Sequence, residues 1–168
     1  MKFLLYVVIF FNSILIINGK LFSSEESFAV VVRVSDGDSI IVRNYNQDLQ
    51  KIRLAGIDAP ELNQPHGSSS KIVLRKLVLH KTVRIRKIST DRYNRTVGIV
   101  FFEGEDINMQ MIMKGAAWAY KKYLKVLPDS KNSTYLEAEK NARSKTLGLW
   151  KNDNSIPPWS WRKKYKQR

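Results

Sequence analysis

Four carboxylate side chains fall in two short stretches, with Asp36 and Asp38 in "SDGDS" and Asp58 and Glu61 in "IDAPE". Carboxylates that converge repel one another unless a cation lies among them. Oxygen ligands without histidine or cysteine favour calcium or magnesium. If the two stretches meet in the fold, these residue types predict a site for a hard divalent cation.

Two arginines accompany the carboxylates. Arg53 precedes Asp58 in the stretch "IRLAGIDAPE", and Arg95 lies in the polar segment "DRYNR". A guanidinium group can bind two phosphate oxygens with its planar fork. A cation that polarises a phosphate, a carboxylate that activates water and arginines that stabilise developing charge together suit phosphodiester cleavage. Taken alone, Arg95 is better explained as a surface arginine.

The charge of the chain supports a polyanionic partner. The 168 residues include 29 Lys plus Arg against 15 Asp plus Glu, a formal net charge of +14. Such a balance predicts binding to nucleic acid or to an acidic membrane surface. An acidic pocket in this basic chain would oppose nucleic-acid binding unless a metal neutralised it. The absence of cysteine excludes a disulfide framework, a thiolate metal site and a cysteine nucleophile.

The elements that must position these residues form a small β barrel with helices. Period-2 alternation and turn residues predict five strands, at residues 28–34, 40–42, 50–57, 82–88 and 97–102. Apolar residues at helical spacing predict three helices, at residues 68–79, 107–114 and 134–148, the last begun by a capping box of Thr134 and Glu137. The predicted fold class is α+β, mainly a five-stranded OB-fold barrel with about three packed helices.

The meander of the first three strands brings the 36–38 turn and the end of the third strand to one edge. Strict alternation would nevertheless place Arg53 and Asp58 on opposite faces of the third strand. The chain must therefore leave regular strand before Asp58, and Gly56 is the candidate position. Pro60 then stiffens the turn that carries the carboxylates.

The N-terminus has the layout of a secretory signal peptide. Lys2 precedes an apolar run that ends near Gly19, so residues 1–22 are predicted to be a signal peptide that directs export of the chain and is cleaved near Gly19. A membrane anchor formed by residues 3–19 is the alternative. Residues 23–27 read as a linker, residues 28–161 as the folded domain, and residues 162–168 as a basic C-terminal tail.

Three sequence blocks resemble one known family. "VSDGDSIIV", "IRLAGIDAPE" and "DRYNRTVGIVF" occur in this order and resemble the signature blocks of the staphylococcal nuclease (thermonuclease) family. The similarity covers roughly residues 28–161. The resemblance implies an OB-fold protein that hydrolyses DNA and RNA with little sequence preference.

The resemblance also implies a metal site. Asp38 and Asp58 would supply carboxylate ligands to calcium, and Ala59 would supply its backbone carbonyl. Asp36 would lie behind these ligands and support them. Ala59 stands where the family has threonine, a change that a backbone ligand tolerates.

The remaining implied roles belong to the reaction and to substrate binding. Glu61 would be the general base, and Arg53 and Arg95 would bind and stabilise the scissile phosphate. Asn94 replaces a glycine before Arg95, and asparagine also accepts a left-handed backbone. Three tyrosines would line the nucleotide pocket: Tyr93, Tyr120 and Tyr123.

The sequence therefore predicts an exported, calcium-dependent nuclease acting on DNA and RNA. We expect a monomer without a stable protein partner, attached to a membrane only if the N-terminal segment is retained. A non-catalytic OB-fold module that binds nucleic acid is the main alternative, and a protein of anionic membrane surfaces is another. The acidic and arginine residues favour the nuclease, because a pure binding module does not need them.

Overall fold

The computed structural model describes residues 25–152 and 154–165, apart from the side chains of residues 129 and 130. The predicted signal peptide or anchor lies outside the described residues. Within the described part of the chain, no helix is both long and apolar enough to cross a membrane.

A closed barrel forms the centre of the fold. The strands are β1 (Glu26–Val34), β2 (Ser39–Arg43), β3 (Leu49–Leu54), β4 (Ile57–Asp58), β5 (Thr82–Thr90), β6 (Thr96–Phe102), β7 (Glu105–Asp106) and β8 (Trp118–Ala119). The order β3-β2-β1-β5-β6 is antiparallel, and a parallel pairing of β3 with β6 closes it. The predicted five-stranded barrel is confirmed. β1 begins at Glu26, so the last two residues of the predicted linker are strand residues.

The barrel interior explains why these segments are strands. β-branched residues on the inner face of the strands are fully or almost fully buried, including Val31, Val42, Ile52, Val83, Ile85 and Ile99. Their counterparts on the outer face are largely polar, as the exposed Arg43 and Lys51 illustrate. The packed interior fixes the positions of the strand ends, where the carboxylates lie.

Helices cover the barrel and extend to one side of it. They are α1 (Gly67–Val78), α2 (Ile107–Met113), α3 (Lys121–Leu124), α4 (Asp129–Ser144) and α5 (Pro158–Tyr165), with a 3₁₀ helix at Gly148–Lys151. The described chain thus has five α-helices where the sequence predicted about three. The additional ones are α3 and α5, which are too short and polar to show an apolar period.

The start of α4 corrects one prediction. The helix begins at Asp129, five residues before the predicted capping box at Thr134. The hydroxyl of Thr134 donates to the carbonyl of Lys131 inside the helix (3.0 Å), so it does not cap the helix. Tyr135, which is fully buried, instead anchors α4 by donating to Asp106 at the start of α2 (3.0 Å).

A turn between β3 and β4 directs the chain from the barrel into the site. β3 ends at Leu54, and Gly56 adopts a positive φ of 71° that favours glycine. The buried Asn108 of α2 holds this turn, since its amide nitrogen donates to the carbonyl of Ala55 (2.9 Å). β4 then pairs with β8. The prediction that the chain leaves regular strand at Gly56 is confirmed.

Candidate active site

The turn brings Arg53 and Asp58 to the same side of the chain. Nη2 of Arg53 lies 2.9 Å from Oδ1 of Asp58 and 3.1 Å from Oδ2 of Asp38. Its Nη1 donates to the carbonyl oxygen of Leu54 (3.0 Å). Only 15% of the Arg53 side chain is exposed, and its guanidinium joins the two carboxylates. We call Arg53, Asp38 and Asp58 the floor of the site. The predicted meeting of the two sequence stretches is confirmed.

Backbone groups hold Asp38 in place. Oδ2 of Asp38 accepts the N–H of Ala59 (2.7 Å), which ties the β1–β2 turn to the end of β4. The hydroxyl of Ser39 donates to its other oxygen (3.1 Å). Oδ1 of Asp36 accepts the N–H of Asp38 (3.0 Å), so Asp36 shapes the turn from behind.

Burial makes the two carboxylates of the floor easier to protonate than ordinary carboxylates. Burial raises the pKa of Asp38 to about 7, against the opposing effect of Arg53. Burial also raises the pKa of Asp58, although hydrogen bonds from Arg162 and the charge of Arg53 act in the other direction. Additional positive charge at this point would favour the ionised form of both groups.

The four predicted carboxylates line one cavity of about 660 Å³. Glu61 lies at its edge, with 40% of its side chain exposed. Within the described residues, no three acidic or histidine side chains are grouped closely enough to hold a metal by themselves. The four carboxylates therefore line one cavity without forming a single cluster, and Arg53 bridges two of them, Asp38 and Asp58.

Arg162 also contacts the floor, from the C-terminal helix α5. Its Nη2 lies 2.7 Å from Oδ2 of Asp58, and its Nη1 lies 2.7 Å from Oε1 of Glu61. Burial lowers the pKa of the guanidinium, but the hydrogen bonds to these two carboxylates outweigh it and raise the pKa above its ordinary value. Arg162 is therefore a charged part of the site.

Two contacts hold α5 against the site. Trp159 stacks on Tyr120, with ring centroids 5.1 Å apart and an interplanar angle of 5°. The amide nitrogen of Gln64 donates to the carbonyl of Ile156 (2.6 Å), and its Oε1 accepts the N–H of Glu61 (3.2 Å). The loop that carries Glu61 is thus tied to the segment that carries Arg162.

Sequence reasoning missed Arg162, because it assigned residues 162–168 to a basic tail. The contact with Asp58 spans 104 positions, and no local pattern reports it. The segment "PPWSW" before the arginine was the available signal, since prolines and tryptophans so close together often mark a segment that packs.

Arg95 lines the cavity but contacts neither predicted metal ligand. Its Nε donates to Oδ2 of Asp91 (2.8 Å), and Oδ1 of Asp91 accepts the backbone N–H groups of Arg95 and Tyr93. Burial raises the pKa of Asp91, but these hydrogen bonds outweigh it and lower the pKa overall. Asn94 has a φ of 57°, which confirms the left-handed backbone expected there.

The three predicted tyrosines line the same cavity. Tyr93 and Tyr123 are exposed, at 67% and 43%. Tyr120 lies between Tyr123 and Trp159 in a small aromatic cluster. The cavity therefore combines buried carboxylates, four arginines and exposed aromatic rings, an arrangement that can hold a phosphate group and an adjoining base.

Comparison with known proteins gives consistent matches. Residues 51–152 match a family model described as "Staphylococcal nuclease homologue". An "Uncharacterized endonuclease" of Haemophilus influenzae is 41% identical over 144 residues, covering 86% of this chain and 78% of the relative. A "Micrococcal nuclease" of Shigella flexneri is 39% identical over 142 residues, covering 79% of each chain. A "Probable staphylococcal-like nuclease CAN2" of Oryza sativa is 35% identical, over 84% of this chain and 35% of the relative.

Proposed function

The chain belongs to the staphylococcal nuclease family, and from that premise we propose that its cavity hydrolyses phosphodiester bonds of DNA and RNA with calcium as cofactor. One observation carries the proposal. Arg53 contacts both Asp38 and Asp58 at the floor of a cavity whose edge carries Glu61. The groups proposed to bind phosphate, to bind the metal and to act as the base therefore lie around one cavity.

The donor groups fit a calcium ion. Asp38 and Asp58 are buried, and with the backbone carbonyl of Ala59 they would form an all-oxygen ligand set. Calcium accepts carboxylates, backbone carbonyls and waters together, so it does not require a third carboxylate. The raised pKa of Asp38, about 7, supports a cation here. When bound, calcium would polarise the phosphate and neutralise part of its charge.

Glu61 is the proposed general base. Its side chain is partly exposed at the cavity edge, where water can reach it, whereas Asp38 and Asp58 are buried. Its carboxylate would accept a proton from the water that attacks phosphorus. Gln64 accepts the backbone N–H of Glu61 and so holds the loop that carries the base, while Arg162 donates to its carboxylate.

Two arginines are proposed to hold the phosphate. Arg53 is fixed by Leu54 and by the acidic floor, so its position does not depend on substrate. The Nε edge of Arg95 is fixed by Asp91, which leaves its Nη edge for phosphate oxygens. Arginines fixed before the reaction stabilise charge that develops on the phosphate without reorganising.

Three tyrosines are proposed to contact the sugar and base beside the scissile phosphate: Tyr93, Tyr120 and Tyr123. Aromatic rings stack on any base, so a pocket of this kind is tolerant of sequence. Such tolerance fits cleavage of both DNA and RNA.

Export is a further part of the proposal, and it depends on residues 1–22. A mature chain starting near residue 20 in the extracytoplasmic fraction is expected, and N-terminal sequencing of that protein is the check. Full-length chain found only in the membrane fraction would favour the anchor formed by residues 3–19. We propose that the mature nuclease is a monomer.

The direct test is digestion of single-stranded DNA, duplex DNA and RNA with purified protein, in calcium and in an excess of chelator. Cleavage in calcium, complete loss in chelator and recovery on adding calcium back are expected. Unchanged cleavage in chelator would refute the cofactor. Tight binding without any cleavage in calcium would instead support the OB-fold binding module.

A further inference from the structure

Arg162 occupies an unusual place, because it binds two groups that the proposed reaction needs free. It contacts Asp58, a proposed cation ligand, and Glu61, the proposed base. Resting on the proposed function, we propose that Arg162 exchanges partners: it neutralises these carboxylates before substrate arrives, and binds a substrate phosphate once a cation takes its place. Arg162 would thereby make cation binding and nucleic-acid binding reinforce each other.

The charges of the floor motivate the exchange. Three carboxylates, those of Asp38, Asp58 and Glu61, face two guanidinium groups, those of Arg53 and Arg162. Arg162 therefore supplies half of the positive charge that contacts these acids. A divalent cation at Asp58 would lie close to the guanidinium of Arg162, and like charges at such distances repel strongly where water is scarce.

The two arginines are not equally able to move. Only 15% of the Arg53 side chain is exposed, and the carbonyl of Leu54 holds it from behind. The side chain of Arg162 is 41% exposed at the edge of the cavity. When a cation binds, Arg162 is thus the guanidinium that can leave the carboxylates.

The helix that carries Arg162 stays in place while the side chain moves. Trp159 remains stacked on Tyr120, and Gln64 remains bonded to the carbonyl of Ile156. The movement is therefore limited to the flexible side chain of Arg162, which lines the same cavity as Arg95 and Tyr93. A phosphate in this cavity gives the displaced guanidinium a new anionic partner, which it can bind with two nitrogens.

This exchange has a measurable thermodynamic consequence. In the wild type, a cation must displace Arg162. This lowers the affinity of the site for the cation when no nucleic acid is bound. Bound phosphate offers Arg162 an alternative partner, so it raises the affinity for the cation. By linkage, the cation raises the affinity for nucleic acid by the same factor. Removal of Arg162 should strengthen cation binding alone and weaken the coupling.

The test is calorimetric titration of calcium into the full chain, with and without a short phosphorothioate oligodeoxynucleotide. Wild type, Arg162→Gln and Lys163→Gln are compared, since Lys163 is an exposed neighbour on α5 and its loss changes the net charge equally. Arg162→Gln should bind calcium at least threefold more tightly than Lys163→Gln without the oligonucleotide. The oligonucleotide should tighten calcium binding at least fivefold in wild type and in Lys163→Gln, and less than twofold in Arg162→Gln.

Arg162→Lys and thermal melts separate a loss of coupling from a loss of folding. Lysine retains the charge beside Asp58 but not the planar fork, so its calcium affinity alone should match wild type while its coupling falls. If Arg162→Gln does not fold, unchanged coupling in Arg162→Lys overturns the proposal. Equal calcium affinities of Arg162→Gln and Lys163→Gln also overturn it. If wild type neither binds calcium nor digests DNA, the proposed function itself has failed.

Discussion

An arginine is held in one way at the floor of the cavity and in another at its rim, which is formed by Arg95 and Asp91. At the floor, Arg53 is 15% exposed and contacts the buried Asp38 and Asp58. Arg53 and Asp38 lie at the ends of barrel strands, and Asp58 ends β4, which pairs with β8 beside the barrel. At the rim, Arg95 is 29% exposed and pairs with Asp91 in its own loop. Floor residues are positioned by the packed barrel, whereas rim residues are positioned by local loop contacts. Perturbations at the floor should therefore have the larger effects.

The largest effect is expected at Glu61, where the two regions meet. Glu61→Gln removes the proposed general base and preserves the shape of the side chain. The single-turnover rate should fall by about 10²- to 10⁴-fold while binding of calcium and DNA persists. Single-turnover cleavage beside thermal melts is the measurement. Glu137→Gln, the same change at an exposed position on α4, should leave the rate unchanged.

A wild-type rate in Glu61→Gln would remove Glu61 from the chemistry. The floor would then have to supply the base, although Asp38 and Asp58 both lie buried against Arg53. A collapse of the melt would instead assign Glu61 a structural role through Arg162.

Arg53→Lys tests the floor directly. A lysine keeps the charge between Asp38 and Asp58 but cannot present two nitrogens to a phosphate. The rate should fall by about 10²-fold, as for the loss of one fixed donor to a developing anion. Arg75→Lys, at an exposed position on α1, is the matched control. Equal rates for the two variants would show that Arg53 acts only as a counter-ion to the acids.

The pH dependence of calcium binding sharpens the comparison, because burial raises the pKa of both floor carboxylates, Asp38 and Asp58, whereas the pKa of Asp91 at the rim is lowered. The pKa of Asp38 is raised to about 7, so without calcium it binds a proton below that pH. Calcium must displace this proton, so its affinity should be constant above pH 7 and fall about tenfold per pH unit below it. Calorimetric titration between pH 5.5 and 8 measures this. An affinity that is flat across that range would mean that Asp38 is not a ligand.

Much of the floor could be predicted from the sequence. The alternating strands fix the barrel, and Gly56 supplies the positive φ that brings Asp58 to the side of Arg53. These features depend on near neighbours or on a simple meander, so local patterns carry them. The OB-fold and the meeting of the acidic stretches followed from such patterns and from the family resemblance.

The rest of the site could not be predicted, because it depends on distant contacts or on short elements. Arg162 reaches Asp58 across 104 positions, from a helix whose sequence is mostly polar. The partner of Arg95 was also missed, since "DRYNR" does not reveal that Asp91 folds back onto the arginine. α3 has four residues, fewer than an apolar period needs to show.

The smallest effect is expected at the rim, from Asp91→Asn. The asparagine oxygen can still accept the backbone N–H groups of Tyr93 and Arg95, so the loop should keep its shape. Only the ion pair to the Arg95 guanidinium is lost, and a partly exposed pair of this kind contributes about 0.2 to 1 kcal/mol. Since that pair orients Arg95, kcat/KM should fall by no more than about fivefold, and the melting temperature should fall by no more than a few degrees.

Asp48→Asn is the control for the rim, because Asp48 is an exposed aspartate in the β2–β3 turn. Its carboxylate accepts a hydrogen bond from the side-chain amide of Asn44 (3.2 Å). It should not alter kcat/KM. If Asp91→Asn lowered the rate as far as Arg53→Lys, Arg95 would need positioning as strict as that of Arg53, and the distinction between floor and rim would fail. A small effect would show that substrate itself completes the positioning of Arg95, because a phosphate in the cavity provides the anionic partner that Asp91 no longer supplies.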